Sequence, residues 1–222
     1  MLKIKHKVSR LKVGSTIGII SPSWSGPAVF PVVYEKGLEN LKTMFSFKIK
    51  EFKNTRSNYD DSLDYVKKRV EDIHEAFLDK EVDAIFITIG GSDSIRLLPY
   101  LDKSIIINNP KIIIGYSDAT SLLIYIAKLG VPTFYGPSVM AGFAEPDGLN
   151  QEFVSHFKSF FFDEWETYEY PTYSKWTEDR YGWTDPNFLN RKKEYKDNYG
   201  LKILSSHPDQ TGVLLGGFIE II

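Results

Sequence analysis

The sequence predicts an α/β fold: a Rossmann-like or flavodoxin-like, mostly parallel sheet with flanking helices, followed by the start of an incomplete second domain. Three observations predict it. Short apolar runs rich in β-branched residues recur as far as residue 135. Segments with apolar residues three and four apart stand between them. Turns carrying glycine or serine follow several runs directly.

Taken in order, Val13 to Ile20 (VGSTIGII) reads as a buried strand, broken by Ser21-Pro22-Ser23. Val32 to Phe45 follows with Val33, Leu38, Leu41, Met44 and Phe45 near helical spacing. Phe47 to Phe52 alternates apolar Phe47 and Ile49 with basic Lys48 and Lys50, the pattern of a second strand. The clearest helix comes next. Leu63, Val66, Val70, Ile73 and Phe77 form one apolar stripe, and Asp60, Asp61 and Ser62 suit its N-terminus. Val82 to Ile89 (VDAIFITI) is a strand running into Gly90-Gly91, and Lys111 to Gly115 (KIIIG) is another. Thr120 to Leu129 reads as a helix closed by Gly130, and Val131 to Tyr135 as a last short strand.

These elements define an N-terminal α/β domain over residues 1–145. Residues 146–210 form a linker with a further helix at Gln151 to Phe162, then an aromatic-rich, charged insertion holding Trp165, Trp176 and Trp183. Residues 211–222 (TGVLLGGFIEII) read as the first strand of a truncated C-terminal domain, because a domain seldom ends on an unpaired apolar strand.

Composition narrows the function. The 222 residues are 42% hydrophobic, enough for a substantial core. Twenty-seven basic residues face 29 acidic ones, a net charge of −2, so there is no electrostatic footprint for nucleic acid or an anionic membrane. No stretch approaches the roughly 18 apolar residues of a membrane span, and the basic lead-in Met1 to Lys12 lacks the apolar run of a signal peptide. The absence of cysteine removes disulfides, thiolate nucleophiles and cysteine zinc sites.

The chemistry concentrates at Gly115-Tyr116-Ser117-Asp118, where a buried strand meets a helix through a sharp turn. A serine there is laid out as a nucleophile elbow at the carboxyl edge of the sheet. The helix N-terminus favours developing negative charge, and the Asp118 N–H is one candidate oxyanion donor. The residues equally allow Ser117 or Asp118 simply to cap the helix. Gly90-Gly91-Ser92-Asp93 follows a buried strand, and its glycines permit close backbone approach, with the Gly91 N–H as a second candidate donor. An ordinary turn is the alternative. The common phosphate loops are missing. The four histidines, His6, His74, His156 and His207, occupy no obvious turn at a strand end, so the residues supply no convincing triad.

Several motifs in one order carry a resemblance. Leu11 to Ser23, Glu81 to Gly91, Arg96 to Asp102, Asn109-Pro110-Lys111, Gly115 to Asp118 and Thr133 to Pro137 together resemble the LD-carboxypeptidase family of serine peptidases, and Gly212 to Gly217 resumes the likeness. The resemblance implies a cytoplasmic, usually homodimeric hydrolase with neither metal nor cofactor, using a Ser–Glu–His set. It implies Ser117 as nucleophile, Gly91 and Asp118 N–H groups as the oxyanion hole, and Gly90, Ser92 and Tyr116 at the substrate. Some members trim murein tetrapeptide. Another branch confers immunity to microcin C by cleaving an aminoacyl group from a nucleotide-like moiety, and Trp176 and Trp183 resemble its base-holding insertion. The expected partner is therefore a small peptide or aminoacyl-nucleotide. The family's glutamate and histidine lie beyond the motif matched by Gly216-Gly217, Glu220 stands too near that motif, and Phe218 occupies the place of the usual asparagine. The chain by itself is thus expected to be nearly inactive. Alternatives are a binding homologue that sequesters such ligands, or half of a split enzyme.

Overall fold

The computed structural model describes residues 4–200, 211–212 and 216–219. His207, Glu220 and half of the apolar strand expected over 211–222 (residues 213–215 and 220–222) lie outside the described residues.

Five strands form one parallel sheet: β1 (Thr16–Ile20), β2 (Lys48–Glu51), β3 (Ala84–Ile87), β4 (Ile112–Gly115) and β5 (Phe134–Tyr135), in the order β2-β1-β3-β4-β5. The helices are α1 (Gly26–Val29), α2 (Pro31–Phe45), α3 (Leu63–Leu78), α4 (Lys103–Asn108), α5 (Thr120–Lys128) and α6 (Gln151–Phe161). A 3-10 helix, Ser94–Tyr100, follows β3, and a short one, Ser117–Ala119, leads into α5. Every strand and helix expected from the sequence to residue 162 is present, with ends trimmed by a few residues. Fraying at the run Val82 to Ile89 has a specific cause. The carbonyls of Ile87 and Thr88 accept from Val139 and Met140, so the end of the run pairs with a loop instead of a strand.

The strands are apolar throughout because both faces of the sheet are covered. Side chains alternate faces. Ile17, Ile19, Ala84, Phe86, Ile112 and Ile114 pack against α2 and α6, whereas Ile20, Ile85, Ile87 and Ile113 pack against α3, α4 and α5. A fully buried isoleucine or phenylalanine contributes about 1.5–3 kcal/mol over an exposed one. The first of these layers continues past residue 145 through Leu149, Val154, Phe157 and Phe161 to Phe188. The Ser62 hydroxyl caps α3, accepting from the Tyr65 N–H at 3.1 Å. Among the described residues no helix is long and apolar enough to cross a membrane.

The strand order reverses between β1 and β3, since the chain goes outward to β2 before returning. Turns that leave the sheet at such a reversal diverge and open a crevice at the carboxyl edge. The turns after β1, β3 and β4 all lie at that edge.

Beyond α6, Lys175–Trp176 and Lys196–Asp197 form a two-stranded antiparallel ribbon, and Phe188–Asn190 is a single 3-10 turn. The sequence shows no period here because each piece is shorter than the periods that reveal helices and strands.

Candidate active site

The elbow after β4 is built by one residue. Tyr116 is extended, Ser117 has φ of 57°, and the chain enters a 3-10 turn and then α5. A non-glycine residue in this left-handed region is uncommon and costs energy. Around Ser117 the backbone is satisfied: its N–H donates to Tyr135 Oη at 3.1 Å, and its carbonyl accepts from Thr120 Oγ1 at 2.6 Å. Its own hydroxyl caps nothing and has no hydrogen bond among the described residues.

The turn after β3 lies directly against this elbow. A Cβ on Gly90 would stand 2.7 Å from Ser117 Cβ, 2.9 Å from its Oγ and 3.2 Å from the Asp118 nitrogen, so only glycine fits. Gly91, at φ 158°, meets the turn after β1: a Cβ there would lie 2.4 Å from Ser23 Oγ and 2.9 Å from Trp24 Cβ. The N–H groups of Gly91 and Asp118 have no hydrogen-bond acceptor among the described residues. Ser92 is exposed and its hydroxyl makes no bond there.

Asp118 is buried and does not cap its own helix, as the simpler reading of the sequence allowed. Its carboxylate instead accepts from the backbone N–H groups of Asp93 (3.0 Å) and Ser94 (2.9 Å), at the start of the 3-10 helix after β3, and from the Ser23 hydroxyl.

Beside the elbow is a cavity of about 660 Å³ whose lining includes Tyr116, Trp183, Phe30, Arg180, Tyr181 and Lys193. Edge-on aromatic contacts run from Trp24 to Phe30 (5.9 Å between centroids) and from Phe30 to Trp183 (5.5 Å), which links the cavity to the Gly91 turn. Lys193 pairs with Glu145 on the wall. Burial pushes the Tyr116 phenol up, with Tyr135 adding to the effect and Arg180 opposing it. Of the two tryptophans expected at the substrate, Trp183 lines this cavity and Trp176 does not. Trp176 sits on the exposed ribbon with the Lys196 ammonium 5.4 Å above its ring.

Two of the three described histidines are engaged elsewhere, and His6 lies in the lead-in before β1. His74 Nε2 accepts from the Asp102 N–H at 2.9 Å, and His156 Nδ1 bonds Tyr173 Oη at 2.7 Å. Burial lowers the pKa of both rings. Sequence reasoning missed Ser23, Arg69 and Tyr135. Only Ser23, in a turn after a strand, carried a local signal.

A sequence model described as the LD-carboxypeptidase N-terminal domain matches residues 17–136. The chain is 38% identical over 175 residues to the Vibrio cholerae protein VC_A0337, covering 78% of this chain and 52% of that protein. It is 36% identical over 190 residues to the Escherichia coli microcin C7 self-immunity protein MccF, covering 85% and 55% respectively. The chain thus spans about half the length of these relatives. The solved structure of wild-type MccF in the apo state superposes with a TM-score of 0.78 at 33% identity, covering 88% of this chain and 58% of that one. MccF has also been solved in complex with aspartyl sulfamoyl adenosine, with a TM-score of 0.77 to this chain.

Proposed function

This chain belongs to the LD-carboxypeptidase family, and from that premise we propose that it carries the nucleophile and ligand-holding half of a serine hydrolase acting on an aminoacyl-nucleotide amide. Ser117 Oγ attacks the amide carbonyl carbon. The carbonyl oxygen becomes an oxyanion held by the N–H groups of Gly91 and Asp118. Collapse expels the amine with a proton and leaves an ester on Ser117, which water then hydrolyses.

The observation that carries the reading is the left-handed Ser117 at the end of β4, with a hydroxyl and two N–H groups on adjoining turns that have no partner among the described residues. The aromatic cavity favours the nucleotide over murein tetrapeptide as ligand, since Trp183 and Tyr116 offer faces on which a base stacks. None of the described histidines is bonded to Ser117, so the general base is assigned to residues outside the described set.

Calorimetric titration with aspartyl sulfamoyl adenosine tests the ligand. Saturable one-to-one binding, little changed by Ser117→Ala, is the expected result. An absence of binding at millimolar ligand overturns the aminoacyl-nucleotide reading. Mass spectrometry of the same mixture tests the base: turnover that persists in His207→Ala, in a chain whose other histidines are described, would refute its assignment outside the described set.

A further inference from the structure

Arg69 is 1% exposed, in the middle of α3, and carries the largest side chain in the fully buried interior. Its guanidinium reaches up to the carboxyl edge of the sheet. Nη1 donates to the carbonyls of Pro22 (2.9 Å) and Ser23 (2.8 Å) in the turn after β1, and Nη2 donates to Asp93 Oδ2 at 2.5 Å in the turn after β3. Its plane lies over the Tyr65 ring, 4.6 Å from the centroid, and Tyr65 Oη bonds Ser25 Oγ at 2.5 Å. The remaining nitrogen, Nε, is buried without a partner among the described residues. A buried cation with an unmet donor is costly, and such a group survives where its other contacts over-determine its position.

Asp118 completes the arrangement from the elbow. Its carboxylate holds Ser23 from the first turn and the Asp93 and Ser94 N–H groups from the second, while its carbonyl accepts from Ser94 Oγ at 2.6 Å. The turns are therefore tied twice, the first to the second by Arg69 and all three together by the Asp118 carboxylate. Gly91 and Asp118, the two residues whose N–H groups are read as oxyanion donors, belong to two of those turns. Nothing else on their side chains can fix their spacing, since Gly91 has no side chain.

We propose that Arg69 and the Asp118 carboxylate are positioning residues that set the spacing of the two oxyanion donors. The inference rests on the reading of Ser117 given above. An oxyanion hole works only while its donors stay within hydrogen-bond distance of one point. All three of these bonds meet on Asp118 Oδ2, and Asp118→Asn removes the negative charge that strengthens them. Arg69→Met keeps bulk and removes the fork; Arg69→Lys keeps the charge opposite Asp93 but reaches one carbonyl rather than two.

The test uses phenylboronic acid, followed by 11B NMR. Ser117 Oγ adds to the trigonal boron, its proton passes to solvent, and the four-coordinate anion that results needs the same donors as the oxyanion. Wild type is expected to form this anion at a lower pH than free phenylboronic acid does, and Ser117→Ala to abolish it. Asp118→Asn and Arg69→Met should weaken capture by about tenfold and raise the pH midpoint toward that of the free acid, with near-UV circular dichroism unchanged; Arg69→Lys should recover part of the loss. A purely structural role would leave the midpoint where it is. If Asp118→Asn does not fold, Ser23→Ala, which removes one of the three donors to the carboxylate, carries the same comparison. Capture that depends on Ser117 but is equal in wild type and these variants overturns the positioning role alone. Capture absent from wild type, or unchanged by Ser117→Ala, overturns the reading of Ser117 and this inference with it.

Discussion

Replacing Ser117 by glycine is expected to make the protein more stable than replacing it by alanine. Both variants lose the hydroxyl, which has no hydrogen bond among the described residues, so their difference isolates the backbone. At φ 57° an L-residue costs about 1–2 kcal/mol relative to the right-handed region. Glycine escapes that cost but loses about 0.5–1 kcal/mol more than alanine in chain entropy on folding. The balance favours Ser117→Gly over Ser117→Ala by about 1 kcal/mol. For a chain of this size that is a difference of roughly 2–4 °C in melting temperature. Ser46, which ends α2 at φ 58° far from the crevice, is an internal control, and the same pair of substitutions there should give the same sign. Differential scanning calorimetry at one protein concentration and pH measures both pairs. At an ordinary strand or helix position alanine is the more stable of the two, so the sign is the diagnostic. Ser117→Ala melting at or above Ser117→Gly, while the Ser46 pair behaves as expected, would show that the elbow is not left-handed in solution.

Gly90→Ala should leave the sheet intact but displace Ser117, because the added methyl meets Ser117 Cβ at 2.7 Å; phenylboronic acid capture should fall by about tenfold or more, read by 11B NMR. Trp183→Ala should weaken aspartyl sulfamoyl adenosine by about 1–3 kcal/mol in calorimetry, the worth of one stacked base, whereas Trp176→Ala should leave it unchanged; equal losses would contradict the assignment of the cavity to Trp183 alone. Asp72, buried on α3 against Asn54, has its carboxyl pushed up to about 6 by burial, with the Asn54 hydrogen bonds opposing. The folded state then binds this proton over a range in which the unfolded chain, at about 3.9, has released it. Stability from this group is full below about pH 4 and is lost as pH rises through 6. Urea denaturation midpoints should decline over that interval in wild type and decline less in Asp72→Asn.

The sheet was legible because its strands are buried on both faces and therefore read as continuous apolar runs, as in VDAIFITI and KIIIG. The elbow was legible because a serine sits where such a run stops and a helix starts. Arg69 was not. It lies between Val66 and Val70 on the helix face whose stripe is apolar, and its partners Pro22, Ser23 and Asp93 are supplied by turns 24 to 47 residues away. A single sequence holds no record of which distant groups will satisfy a buried cation. Tyr135 was read as the end of a strand and as part of the Thr133 to Pro137 motif but given no role at the elbow, since its bond to the Ser117 N–H depends on the packing of β5 beside β4. The two tryptophans separated for a related reason. They are seven residues apart in a segment without period, and only the tertiary contact of Trp183 with Phe30 distinguishes them.

The Tyr135 hydroxyl has a bearing on motion as well as on geometry. It closes β5, a strand of two residues at the margin of the described sheet, held to β4 by the pairs Ile114–Phe134 and Gly115–Tyr135. Short marginal strands open locally at a small fraction of the free energy of global unfolding. Each opening takes the acceptor from the Ser117 N–H, so the amide proton of Ser117 should exchange with solvent at the rate set by β5 and not by the rigid β3–β4 interior. The left-handed residue of the elbow is thus tethered to the shortest strand of the parallel sheet, and the elbow is expected to keep its shape for as long as that strand stays paired.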